Sequence, residues 1–68
     1  MAQGTVTWYE VAKGYGFVAS DDGSDVYVHY SQIVTDGQRS LEAGQRVEFE
    51  VSQGERGPQA DNVRVLDA

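Results

Sequence analysis

Apolar and polar residues alternate with a period of two in five separate stretches of the chain, and each stretch is short. Val6 lies between Thr5 and Thr7 within residues 4–10; residues 15–19 and 25–30 form the second and third stretches. Val47, Phe49 and Val51 alternate with Glu48, Glu50 and Ser52 in the fourth, and Val63 and Val65 alternate with Asn62 and Arg64 in the fifth. A period of two is the strand signature, because successive side chains leave a strand on opposite faces. Turn chemistry separates the stretches. Asp21, Asp22, Gly23 and Ser24 predict a hairpin between the second and third strands. Gly54, Glu55, Arg56, Gly57 and Pro58 join the fourth and fifth, and Pro58 predicts a break in pairing there. Between Ile33 and Arg46 runs a polar connection with no helical period, although residues 31–33 suit one turn of 3₁₀ helix. There is no internal repeat, heptad or low-complexity tract.

Five short strands and almost no helix predict an all-β domain, and closing the sheet on itself removes its edges. The inward parity collects Val6, Val18, Val26, Val28, Ile33, Val47, Phe49, Val51, Val63 and Val65 as the expected core. The chain has 68 residues, so a single domain over residues 1–68 is expected, with one modest core. Chains of this size bury only about 60% of the surface they expose when unfolded.

The outward parity is where the chemistry lies. In "KGYGFV", Lys13, Tyr15 and Phe17 share one face, while Gly14, Gly16 and Val18 share the other. In "VYVHY", Val26 and Val28 point inward, so Tyr27 and His29 point outward. Tyr30 has inward parity by counting and turns outward only if the strand stops at His29. Trp8 is expected to join these rings from the first strand. Five or six exposed rings exceed what ordinary cross-strand packing needs, and a contiguous apolar patch marks a binding surface. Gly14 and Gly16 fit a sheet that bends tightly and leaves the flanking rings uncovered. Flat rings interleaved with a cation suit unstacked nucleobases. The expected ligand is therefore single-stranded RNA or DNA, with Lys13 and Arg56 placed to meet phosphate.

These residues resemble the two ribonucleoprotein motifs of the bacterial cold shock proteins, whose usual forms are close to KGFGFI and VFVHF. "GTVTWYE", "SLEAGQRVEFEV" and "RGPQADNV" extend the resemblance over essentially the whole chain. The resemblance implies a five-stranded antiparallel OB-fold barrel that binds single-stranded nucleic acid and melts RNA secondary structure, with roles in gene expression. It implies that Trp8, Lys13, Tyr15, Phe17, Tyr27, His29 and Tyr30 make up the base-stacking surface, and that Asp25 and Arg56 make polar contacts. Only the resemblance brings in Asp25. The resemblance also implies that Gln38 occupies a loop position of the same surface that is often aromatic in relatives. Thr7 stands where lysine is usual, Glu10 where asparagine is common, and Tyr9, Tyr15, Tyr27 and Tyr30 where phenylalanine is common.

Charge opposes this reading at first sight. Eleven acidic residues against five Lys and Arg give a net charge of −6, which ordinarily keeps a protein away from polyanions. The rings must then supply most of the affinity, and a weak salt dependence follows. With no cysteine and a single histidine, neither a metal site nor a cofactor is expected. No nucleophile–base pair or Walker-type loop is present, so the chain reads as a non-enzyme without a small-molecule substrate or ATP. No basic segment followed by an apolar run opens the sequence, and no run approaches a membrane span; a cytoplasmic monomer is expected. Two other readings compete. An SH3-like aromatic groove would take proline-rich peptides, with its acids favouring basic ones. A homodimer interface would bury the same patch.

Overall fold

The computed structural model describes residues 1–34 and 41–66. Five strands form a closed barrel: β1 (Ala2–Glu10), β2 (Tyr15–Ser20), β3 (Asp25–His29), β4 (Arg46–Gly54) and β5 (Gly57–Val65). One 3₁₀ turn, Tyr30–Gln32, follows β3, one residue earlier than the sequence predicts. Around the barrel the order is β1-β2-β3-β5-β4. β1–β2, β2–β3, β1–β4 and β4–β5 are antiparallel, but β3 and β5 run parallel, with Tyr27 opposite Gln59 and Val28 opposite Ala60. This is the five-stranded OB-type barrel that the resemblance implies, with parallel rather than antiparallel pairing at this one seam. A closed ring of five strands cannot alternate direction throughout, so one parallel pair is unavoidable.

The hairpin between β2 and β3 forms as its residues predict. Gly23 adopts φ 97°, its N–H reaches the Ser20 carbonyl at 2.9 Å, and Asp22 accepts from the Ser24 N–H at 3.0 Å. At the other hairpin, Pro58 does not interrupt pairing: it lies within β5, opposite Gln53. β3 pairs with β5 only at Gln59 and Ala60, so the flank of Pro58 facing away from β4 has no ladder to lose.

The core holds Val6, Val18, Val26, Val28, Ile33, Val47, Phe49 and Val63, as the alternation predicts, together with Leu41 and Ala60. Val65 packs against it while partly exposed. Val51 does not belong to it, being 50% exposed. Its partner Ala60 is buried, but pairing between β1 and β4 ends at Ala2–Phe49, so no strand covers Val51 from that side.

Candidate nucleic-acid interface

One irregularity decides where the largest ring points. Val6 and Trp8 have the same parity, so strict alternation would bury both. The register of β1 against β2 runs Val6–Val18 and then Trp8–Phe17, which leaves Thr7 as an extra, unpaired residue. This bulge restarts the alternation. Val6 is buried while Trp8 is 44% exposed. Thr7 pins the bulge by donating its hydroxyl to the Phe17 carbonyl at 3.0 Å. After the bulge Tyr9 turns inward and packs partly against the core, opposite Gly16. Gly16 must lack a side chain there, since a Cβ would stand 2.7 Å from the Tyr9 Cα. Burial, with the Tyr27 and Tyr30 phenols as lesser contributors, pushes the Tyr9 hydroxyl above the usual tyrosine range and keeps it protonated.

The outward positions of three adjacent strands now align. Trp8 lies 5.5 Å from Tyr15 and 5.7 Å from Phe17, centroid to centroid. Tyr27 lies 5.7 Å from Tyr15 and 5.8 Å from Phe17. These four rings form one continuous platform over β1, β2 and β3. Their edge-on and tilted contacts stabilise the group by roughly 0.5–1.5 kcal/mol per pair beyond simple burial. Tyr15, Phe17 and Tyr27 are half-buried, each leaving part of its surface open.

The platform continues past β3. His29, the partner of Tyr15, packs at a tilt against Tyr30, with centroids 4.6 Å apart, and Tyr30 is 46% exposed. Tyr30 also walls a pocket of about 250 Å³ with Tyr9, Val11, Ala12, Lys13 and Gly14. Gly14 sits at φ 76° in the turn after β1, and a Cβ on it would meet the Tyr30 ring at 2.8 Å. Glu10 serves this turn: its carbonyl accepts from Lys13 at 3.2 Å and Gly14 at 2.8 Å, and its carboxylate accepts from the Ala12 N–H at 3.3 Å.

Cations are sparse here. The Arg56 guanidinium lies 5.3 Å from the centre of the Tyr27 ring. Lys13 is exposed beside Tyr30. Arg46 is committed elsewhere, donating to both carboxylate oxygens of Asp21, at 2.9 and 2.8 Å, and to the Thr5 hydroxyl at 2.9 Å. The same guanidinium holds the Asp21 carboxyl below the usual range, and hydrogen bonds from Ser24 do so for Asp22. Asp25 is exposed at the start of β3, with the same parity as Tyr27 and His29.

The fold thus brings Trp8, Tyr15, Phe17 and Tyr27 together, with Arg56 over the last, and a second group of Lys13, His29 and Tyr30. Asp25 stands at the margin, and Gln38 lies outside the described residues. Sequence parity overlooked Tyr9 and Thr7. Tyr9 carried a signal in the gap left by Gly16, but an unpaired bulge residue has none in the alternation.

The "Cold-shock" DNA-binding domain model matches residues 2–66. The chain is 52% identical over 66 residues to the major cold shock protein of Streptococcus pyogenes serotype M18, covering 97% of this chain and 98% of that protein. It is 55% identical over 67 residues to the probable cold shock protein A of Mycolicibacterium smegmatis, covering 97% of this chain and 100% of the other. Among solved structures, "drosophila Unr CSD456" superposes with a TM-score of 0.79 at 27% identity, over 97% of this chain and 26% of that longer one. A family match over nearly the whole sequence, on a five-stranded closed barrel, places this chain in the cold-shock domain family.

Proposed function

We propose that this protein binds single-stranded RNA or DNA by stacking unpaired bases on its outward rings, and that it acts as an ATP-independent RNA chaperone. Membership of a family described as DNA-binding supports the coarse function, nucleic-acid binding. The observation that carries the finer reading is the unbroken platform of Trp8, Tyr15, Phe17 and Tyr27, with neighbouring centroids 5.5–5.8 Å apart. Stacking on such rings contributes about 1–3 kcal/mol per base and tolerates any base. Duplexes hide their base faces, which directs the surface to single strands. Arg56 fits this role, since a guanidinium resting on Tyr27 can move aside to phosphate or stack with an arriving base. The chaperone role follows by mass action: capture of transiently open bases shifts a hairpin toward its open form without ATP.

Trp8 is the only tryptophan and belongs to the platform, so its fluorescence reports directly on binding. Oligo-dT and oligo-U should quench it saturably, while a blunt DNA duplex and a PxxP peptide should not. Quenching by the peptide alone would replace this reading with a peptide-binding groove. Sedimentation as a monomer at all concentrations would exclude the rings as a dimer interface.

A further inference from the structure

β3 carries its outward row to His29, and unbroken alternation would send Tyr30 into the barrel. Instead the strand ends at His29, and the 3₁₀ turn Tyr30–Gln32 begins. The cap on that turn is the His29 side chain. Its Nδ1 accepts the backbone N–H of Ser31 at 3.2 Å and lies 2.9 Å from the Ser31 hydroxyl oxygen. A backbone N–H only donates, so Nδ1 carries the lone pair and the neutral ring holds its proton on Nε2. An imidazole nitrogen thus performs what a Ser, Asp or Asn oxygen usually performs at a helix start. Two further bonds complete the turn: Tyr30 N–H to the Gly14 carbonyl at 2.9 Å, and Ile33 N–H to the Tyr30 carbonyl at 3.1 Å. Ile33 is 2% exposed, so the far end of the turn is anchored in the core. In this arrangement the Tyr30 ring lies over Gly14 and keeps nearly half its surface open.

We infer that His29 is a positioning residue for Tyr30: its Nδ1 ends the strand and aims the Tyr30 ring outward. The inference rests on reading Tyr30 as a base platform. It gives one nitrogen of His29 a role beside that of its ring face.

Two substitutions separate the two properties. His29→Phe keeps a flat ring and removes the acceptor; His29→Asn removes the ring and keeps an acceptor suited to capping. Because Gly14 lies beneath Tyr30, its Hα should carry a ring-current shift in the free protein. His29→Phe should lose that shift and bind oligo-dT about 5- to 150-fold more weakly, the loss of one base platform. His29→Asn should retain the shift. In a Tyr30→Ala background, adding His29→Phe should cost less than about twofold, because the nitrogen acts through a ring already absent. Nitrogen-15 shifts of the wild-type imidazole should place the proton on Nε2. The inference is overturned if His29→Phe keeps the Gly14 shift, if His29→Asn loses it as fully, or if the cost of His29→Phe persists undiminished without Tyr30. Failure of the wild type to bind oligo-dT would remove the nucleic-acid reading instead, and the Gly14 shift would still test the positioning role in the free protein.

Discussion

Salt dependence measures how much of the affinity passes through phosphate, and the placement of the cations fixes the expected value. Four Lys and Arg residues are described: Lys13, Arg46, Arg56 and Arg64. Arg46 is held by Asp21 and Thr5. Arg64 lies opposite Glu48 on β5, five residues along the strand from Gln59, the partner of Tyr27. At about 3.3 Å per residue that is roughly 16 Å of strand, longer than a Debye length at physiological salt. Among the described residues, Lys13 and Arg56 remain. Each phosphate contact on a single strand contributes a slope of about −0.7 in log K against log salt, so two contacts give about −1.4. Raising salt from 50 to 200 mM should then weaken binding about sevenfold, far less than for a protein with many phosphate contacts. The assay is Trp8 fluorescence with oligo-dT at four salt concentrations, repeated with Lys13→Gln and Arg56→Gln. Each variant should reduce the magnitude of the slope by about 0.7, and the pair should remove the fall that these two contacts produce. A wild-type slope near −5, or a slope unmoved by both substitutions, would refute the assignment of affinity to stacking.

Other consequences can be checked separately. Phe17→Ala and Tyr27→Ala should each weaken oligonucleotide binding by about 1–3 kcal/mol, and each should lower the urea midpoint by less than Phe49→Ala, since each ring has two ring neighbours but neither belongs to the core. Phe49→Ala should cost about 3–5 kcal/mol, most of the stability available to a domain this small, whereas Val51→Ala at the open end of β4 should cost less than about 1. Asp21 has its carboxyl lowered by the Arg46 hydrogen bond, so its contribution is present above the ordinary aspartate value near 4 and is lost as pH falls through the lowered one. Thermal melts from pH 6 down to 2 should accordingly show a smaller acid-induced drop in Asp21→Asn than in the wild type.

How much of this fold the sequence disclosed follows from what period two can encode. Alternation is a local rule, and it located the five strands, eight of the core residues and the outward rings of β2 and β3. It is silent on register. Thr7 looks like any outward residue of β1, yet its lack of a partner makes Trp8 available. Val51 looks like any inward residue, yet β1 stops short of it, and burial depends on that neighbour. Ala60 and Leu41 went unrecognised for opposite reasons. Alanine is too small to mark an inward position, and Leu41 sits in a segment with no period. Closing an odd number of strands forces one parallel pair, but it is the order β1-β2-β3-β5-β4 that places it between β3 and β5, and alternation does not encode that order.

The acidic balance of the chain agrees with this placement. Glu48 lies in register with Gln3 on one side and Arg64 on the other, and Glu50 accepts from the Asn62 side chain at 2.7 Å, so both belong to the β4–β5 wall. Asp21 neutralises Arg46, and Glu10 turns its carboxylate onto its own loop. Asp25 alone shares the outward parity of the rings on β3. A scaffold of this sign repels a polyanion at long range, which slows encounter, but repulsion over solvent-exposed distances is screened within about 8–10 Å at physiological salt. Stacking operates at contact and is indifferent to that field. The opposing effects therefore separate in kinetics: added salt should speed association by screening the repulsion, and should raise dissociation only through the contacts of Lys13 and Arg56. Stopped-flow quenching of Trp8 resolves the two rates. Association that slows as salt rises would mean that positive charge governs the approach, contrary to the charge layout described.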